Sequence, residues 1–496
     1  MLKQRFVVQF GAQFGVKILS MVAGLVVARI AGPEVIGIIA FGTAYISIWS
    51  FFTGLFGTGH IKLISEGKPL DRCMTTYTWL QGGGVAVFVL AVLGVFFFQK
   101  TFFDSFESRT HEIVIIILLL ANLIDQALNF GNTTFTAKLE QAKANYPLVV
   151  KAVLYHAARI VIVFLGFKAV GLASVNLIAA LVALPLVWRL LRKLEFGSFD
   201  KALLKEHLQY ALPIFLIVVI NAITAYSDKL LLAHYTDTKE LGYYSAAFSI
   251  GGIFLLISRS VGTVFFPLFS GLIAEKNWDS VNQRIRSFQH FAAFFIFPGI
   301  CLLALIGTPF LTTLLGEKYG PSVLPFKILL FATYISIVGM PYGNVITGMG
   351  RFYLNVLINF IGLVVFLIAI YLLINPAYLG LGATGIAINL LVLNVVHNLL
   401  FLYYSSRVGG VKPNFATLAP YSLVIAVTLG FAFLEPAFSE WSRWWWLAIP
   451  PVYMLIIYPL FYGLGILTKA DIAKFVDILN LKKLLSYVSK EFKDEG

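Results

Sequence analysis

The sequence predicts an all-α polytopic membrane protein with about fourteen transmembrane helices. Three observations carry that expectation. The chain is 59% hydrophobic and only 12% charged over 496 residues, whereas soluble domains carry about 25% charged residues. Apolar stretches of bilayer length, about 20 residues, recur from one end to the other. Basic residues crowd every second loop, as the positive-inside rule requires of a multi-span chain.

The expected spans run, in order, over 7–29, 36–57, 77–98, 113–135, 148–167, 169–188, 210–234, 242–272, 288–315, 325–348, 354–375, 380–404, 417–434 and 444–467. The first is interrupted by Gln9, Gln13 and Lys17 and has no clean small-residue cleavage site, so it reads as a retained helix rather than a signal peptide. Pro213, Pro267, Pro298, Pro341 and Pro459 fall inside later spans. Each removes a backbone donor and kinks its helix, which a bundle tolerates where neighbours or water satisfy the freed carbonyl.

The longest polar inside stretch, "RLLRKLEFGSFDKALLKEH" (189–207), separates six spans from the next six. The expected organisation is an N-terminal lobe at 1–195, a C-terminal lobe at 196–408, an extra helix pair at 409–468 and a cytoplasmic tail at 469–496. The halves echo each other: "ARIAGPEVIGIIAFGTAYI" (28–46) and "AHYTDTKELGYYSAAFSI" (233–250) both run helix, polar turn, Gly, helix. Internal repeats of this kind are common in secondary transporters. Trp441 and Trp444–Trp446 mark an outer aromatic belt. The tail carries Ile472, Phe475, Val476 and Leu479 at helical spacing among lysines, the pattern of a basic amphipathic helix on the membrane surface.

With both termini in the cytoplasm, 25 of the 37 Lys and Arg fall in inside loops and tails and 7 in outside loops. Lys151 is among the 25. The net charge of +13 therefore faces the cytoplasmic leaflet and is no argument for nucleic acid. The remaining five are Lys17, Arg159, Lys229, Arg259 and Lys327, in or at the ends of spans beside two acids, Asp125 and Asp228. Cys73 and Cys301 offer neither a disulfide framework nor a metal-ligand pattern, and no cofactor is expected.

Intramembrane charges and polar stripes are functional candidates by default. Asn122, Asp125, Gln126, Asn129, Asn132 and Thr133 share one helical face, either a hydrated cavity lining or an interhelical hydrogen-bond seam. Gln9, Gln13 and Lys17 repeat the pattern on the first span. Tyr155, His156 and Arg159 lie near one face of the fifth, with His156 expected as a packed hydrogen-bonding group. Asn221, Thr224 and Asp228 align on the seventh. Lys229 is turned about 100° from Asp228, so each is expected to need a partner elsewhere. For Asp228 a structural pair with Arg159 competes with an ion-coupling role. Arg259 is the lone strong charge of its span and is expected to face a cavity. Asn394, His397 and Asn398 are expected to form a helix seam.

Several ordered stretches carry a family resemblance. They are "IAGPEVIGIIAFGTAYI", "SDKLLLAHYTDTKELGYYSAAFSI", "VGTVFFPLFSGL", "LLGEKYGPSVLPFKILLF", "NVITGMGRFYLNVLINFIGLVVFLIAIYLLI" and "YLGLGATGIAINLLVLN". Together they resemble the polysaccharide transport family, the O-antigen and lipid-linked oligosaccharide flippases, within the multidrug, oligosaccharidyl-lipid and polysaccharide exporter superfamily. The resemblance covers most of residues 1–410. It implies two six-helix lobes around a central cationic cavity, with two extra helices. It implies movement of undecaprenyl-pyrophosphate-linked oligosaccharide to the outer leaflet of the inner membrane, beside membrane lipids, a polysaccharide polymerase and chain-length machinery. Lipid II flippases of the superfamily use cations on the first and eighth helices, where Lys17 and Arg259 fall.

The resulting expectation assigns Lys17, Arg159, Arg259 and Lys229 to an anionic substrate, and Asp228 and Asp125 to ion coupling. Gln13, Asn122, Gln126, Asn129 and Asn221 are assigned to a polar cavity wall. Surplus cations attract phosphate without a rigid pocket. A polytopic glycosyltransferase or polymerase would need a larger outside loop than "QKTFFDSFESRTHE" (99–112). No Gly-rich phosphate cradle for ATP is present. A small-molecule or drug antiporter of the same superfamily is the alternative transporter.

Overall fold

The computed structural model describes residues 2–103, 106–252, 265–266, 268–414, 418–441, 444–465 and 467–468. Among them the protein is all-helical, with no strand. Arg259 and the tail at 469–496 lie outside the described residues, as does the side chain of Gln13. The chain divides into two compact units, Met1–Ala246 and Ala247–Gly496.

The first unit holds α1 (Leu2–Ala31), α2 (Pro33–Ser47), α3 (Phe51–Gly54), α4 (Gly57–Ser65), α5 (Leu70–Phe102), α6 (Arg109–Ala137), α7 (Gln141–Phe164), α8 (Ala169–Leu191) and α9 (Lys201–Tyr235). It also holds most of α10 (Thr238–Gly251). Pro33 opens α2 at a position where its missing N–H costs nothing. Asp200 caps α9 by accepting from the Ala202 and Leu203 amides, satisfying donors that a helix start leaves orphaned. The core gathers Ile38, Tyr45, Phe88, Val92, Ile115 and Leu172, from α2, α5, α6 and α8. A second cluster joins Met74, Leu128, Ala183 and Val187.

The second expected span, 36–57, is not one helix. α2 and the Phe51–Ser65 segment are bent by 50°. The break falls at Ile48, Trp49 and Ser50. The segment just after it, "FFTGLFGTG" (51–59), is rich in glycine, whose helix propensity is about 1 kcal/mol below that of alanine. The loop joining α6 and α7 is held by Glu140, which pairs with Lys143 at 2.6 Å and Lys138 at 3.2 Å. Burial works to raise the Glu140 carboxyl, but the hydrogen bonds from the two lysines outweigh it and hold its pKa below the usual value.

The second unit holds α11 (Trp278–Phe291), a π-helical turn (Ala292–Ile296), α12 (Phe297–Leu305) and α13 (Gly307–Leu315). It continues with α14 (Val323–Gly348), α15 (Phe352–Ile374), α16 (Gly382–Val408), α17 (Leu418–Trp441) and α18 (Ile449–Gly463). The seam expected from Asn394 and Asn398 is present: their amides donate to the Ala332 and Ile335 carbonyls of α14 at 3.1 and 2.6 Å.

Among the described residues nine helices are long and apolar enough to cross a bilayer, or ten if the bent α2–α4 segment is one span. This is a multi-pass membrane protein. The expected number of fourteen exceeds what the described helices establish.

Candidate functional site

The polar stripe of α6 divides into two flanks and a centre. On one flank the Gln126 amide donates to Asn122 Oδ1 at 2.9 Å, and Gln81 of α5 donates to Gln126 Oε1 at 3.4 Å. This is the interhelical seam. On the other flank Asp125 accepts from Lys151 Nζ through both oxygens, at 2.5 and 2.6 Å, and Asn132 donates to the Ala144 carbonyl at 3.0 Å. Both partners are on α7. Asn129, between the flanks, is exposed. Gln126 and Asp125 are therefore committed to neighbouring helices, Asn122 is bonded to Gln126 within α6, and Asn129 alone of the four is exposed.

Lys151 is the residue that sequence reasoning placed wrongly. It was expected in a cytoplasmic loop, but it lies well inside α7, its side chain 15% exposed. The signal was available: Lys151, Tyr155 and Arg159 recur every four residues, on one face of a helix. An acid buried at Asp125 also needs a cation within reach.

Arg159 stacks its guanidinium over the Tyr155 ring at 5.0 Å. His156 is buried, and its Nδ1 has no hydrogen-bond partner among the described residues. It is packed as expected but not hydrogen-bonded through that nitrogen. Arg159, Lys151 and Lys17 all lie within electrostatic reach of its ring. Lys17 comes from α1, which packs along α7, and its side chain is exposed. Neither Lys17 nor Arg159 has an acidic partner among the described residues. α1, α6 and α7 thus gather three cations around one histidine, and only Lys151 is neutralised.

The second expected constellation is corrected. Asp228 and Lys229 pair with each other: Lys229 Nζ is 3.1 Å from Asp228 Oδ1 and 2.9 Å from the Ala225 carbonyl. Helical side chains lean toward the helix N-terminus, and the four-carbon lysine stem spans the 100° that separates the two Cβ directions. The other Asp228 oxygen accepts from the Tyr244 hydroxyl of α10 at 3.0 Å. Asp228 is therefore not paired with Arg159. Lys229 also lies 5.7 Å from the centre of the Tyr244 ring. Asn221 is exposed, and Thr224 donates to its own helix at the Ile220 carbonyl.

A family described as "Polysaccharide biosynthesis protein" matches residues 26–324, more than half of the chain. The chain belongs to the polysaccharide biosynthesis protein family. Among curated relatives, this family member is 24% identical over 219 residues to the capsular polysaccharide biosynthesis protein CapF of Staphylococcus aureus. That alignment covers 44% of this chain and 53% of CapF. The chain spans about half, or less, of the length of the curated relatives it matches. Among solved structures it is similar to the lipid II flippase MurJ in an inward closed conformation. The TM-score is 0.71 at 14% identity, over 93% of this chain and all of MurJ. It is also similar to an inward-facing multidrug resistance MATE family transporter of the MOP superfamily. There the TM-score is 0.64 at 16% identity, over 79% of this chain and 94% of that one. At such identities the likeness establishes the fold alone, a helical membrane bundle.

Proposed function

We propose that this family member is a flippase. It carries an undecaprenyl-pyrophosphate-linked oligosaccharide from the cytoplasmic to the outer leaflet of the bacterial inner membrane by alternating access, with both termini in the cytoplasm. The observation that carries the reading is the pair Lys17 and Arg159, held on apolar helices without an acidic partner among the described residues. An unpaired cation at membrane depth costs roughly 2.5–3.5 kcal/mol on insertion scales, so its retention there needs a use. Pyrophosphate supplies that use: it is an anion that gains strong charge-assisted hydrogen bonds from Lys and Arg. The exposed Asn129 and Asn221 are assigned to a polar wall for the sugars. Arg259, which lies outside the described residues, is assigned to the substrate anion by its charge alone. Membership of a polysaccharide biosynthesis family supports a sugar-bearing cargo, delivered to a polymerase and chain-length machinery.

The carboxylates are assigned to coupling. Asp125 and Asp228 each sit in a lysine pair, and opening such a pair frees a carboxylate to take a proton or sodium ion during the return of the empty carrier. The second reading, a drug or small-solute antiporter, is favoured by the MATE-like fold alone.

The test is genetic. Lys17→Ala and Arg159→Ala should leave protein abundance near normal, abolish surface polysaccharide and trap lipid-linked sugar inside. Raised drug sensitivity with normal polysaccharide would select the antiporter instead.

A further inference from the structure

A second site lies within the first unit, apart from the cationic cluster. Residues of α2, α5, α6, α9 and the start of α10, with Trp49, Phe106 and Glu107, line a cavity of about 190 Å³. One water needs roughly 10–15 Å³ of such space, so the cavity holds on the order of ten waters, comparable to the heavy atoms of one sugar ring.

Its wall is of two kinds. Phe41, Tyr45, Trp49 and Phe106 supply aromatic surface. Phe41 and Tyr45 lie 5.9 Å apart, and Tyr45 meets Phe106 edge-on at 6.0 Å, which fixes the rings relative to one another. Polar groups interrupt them. Tyr45 donates to Gln99 Oε1 at 2.9 Å, which leaves the Gln99 amide nitrogen with no partner among the described residues. The Glu107 carboxylate accepts from the Thr238 hydroxyl, which also meets His111 Nε2 at 3.0 Å. Glu107 is 56% exposed, so its second oxygen is open to a ligand. His234 adds an exposed imidazole.

We propose that this cavity binds a saccharide unit of the cargo, separately from the phosphate. The inference rests on the flippase reading for the source of the sugar. A pyranose presents a face of C–H bonds and a rim of hydroxyls. The face lies on aromatic rings, whose π surface is negative. The rim needs acceptors and donors together, and Glu107 and Gln99 provide one of each. A few placed polar groups in an aromatic wall are the usual construction of a small-molecule site. Among the described residues Glu107 is the one carboxylate lining the cavity and no Lys or Arg lines it, so the lining disfavours phosphate. A hydrocarbon chain would offer no partner to the Gln99 amide nitrogen or the second Glu107 oxygen while shielding them from water, which is costly.

The test uses the full chain in deuterated detergent with methyl glycosides of glucose, galactose, N-acetylglucosamine, rhamnose and glucuronic acid, read by saturation-transfer difference NMR. At least one glycoside should receive transfer at its ring C–H protons. Glu107→Gln and Trp49→Ala should each weaken its binding about fivefold or more, the effect of one lost hydrogen bond or ring contact. Trp49→Phe should retain most of it, and thermal melts should confirm folding. If Trp49→Ala does not fold, Gln99→Leu takes its place. No transfer to any glycoside overturns the proposal. So does transfer indifferent to Glu107 and Gln99, or displacement of the glycoside by tetraphenylphosphonium, which would mark an organic-cation site. Lys17→Ala with Arg159→Ala separates the two readings. Loss of translocation with glycoside binding intact supports both. Translocation that needs those cations, with no glycoside binding, sinks only this cavity.

Discussion

Gly37 and Gly242 hold equivalent places in the two echoing stretches, four residues after Pro33 and Thr238 respectively, and each lies against the other stretch's backbone. A Cβ on Gly37 would stand 1.8 Å from the Thr238 carbonyl oxygen, and one on Gly242 would stand 1.8 Å from the Pro33 carbonyl oxygen. The repeat read in the sequence is thus a reciprocal contact between the start of α2 and the start of α10. Thr238 also carries the hydroxyl held by Glu107 and His111.

Small residues let helix backbones approach closely in membranes. Gly37→Ala and Gly242→Ala should each lower stability by at least about 1–3 kcal/mol, the cost of overpacking, because the obstructing atom is backbone and cannot rotate away. Gly24→Ala in α1, with nothing within 4 Å, should be neutral or stabilising. Thermal melts of the three variants in one detergent check this. Equal melting temperatures would mean the contact does not form.

Asp125 and Lys151 should behave as a mutually dependent pair. Breaking a buried pair by removing one partner costs roughly 3–5 kcal/mol. With side chains 25% and 15% exposed, the loss for Asp125→Asn should sit at or below the lower end. Asp125→Asn with Lys151→Met should recover part of it. A double variant no more stable than the sum of the singles would show that the two do not interact.

Asp228 separates coupling from anchoring. Tyr244→Phe removes the donor to Asp228 Oδ2 and should cost about 1.5–3 kcal/mol, the range for a bond to a charged group. Asp228→Asn should still bind lipid-linked sugar and lose the dependence of transport on the ion gradient. A stable Asp228→Asn protein with full gradient-driven transport would remove Asp228 from both roles.

Reporter fusions at Gly380 and Gly496 should read outside and inside respectively, as the distribution of basic residues requires. A periplasmic signal at Gly496 would overturn the expected orientation.

The fold class was legible because composition and span length are properties of the solvent, and a bilayer leaves helices little competition. The stripe on α6 was legible for the same reason, since 3.6-residue periodicity places Asn122, Asp125, Gln126 and Asn129 together whatever they touch. What they touch was not legible. The division of the stripe between Gln81 and Lys151 depends on which helices flank α6. Lys151 was misplaced because a window of hydropathy assigns a lysine near a span end to the loop, while the structure extends α7 back to Gln141. The Asp228–Lys229 pair was missed because angular reasoning treats a side chain as a direction, and lysine has reach. The break after α2 was not legible because residues 48–50, where it falls, hold neither proline nor glycine and the apolar stretch runs on through them.

The most direct test of the central claim is a translocation assay in proteoliposomes loaded with a fluorescent undecaprenyl-pyrophosphate-linked saccharide, scoring label accessible to an outside quencher over time under an imposed ion gradient. The account predicts that the unaltered chain moves label across the bilayer. Lys17→Ala and Arg159→Ala should each slow it about tenfold or more, the equivalent of about 1.4 kcal/mol, at unchanged protein incorporation. Transport at the unaltered rate by the variant lacking both cations would contradict it.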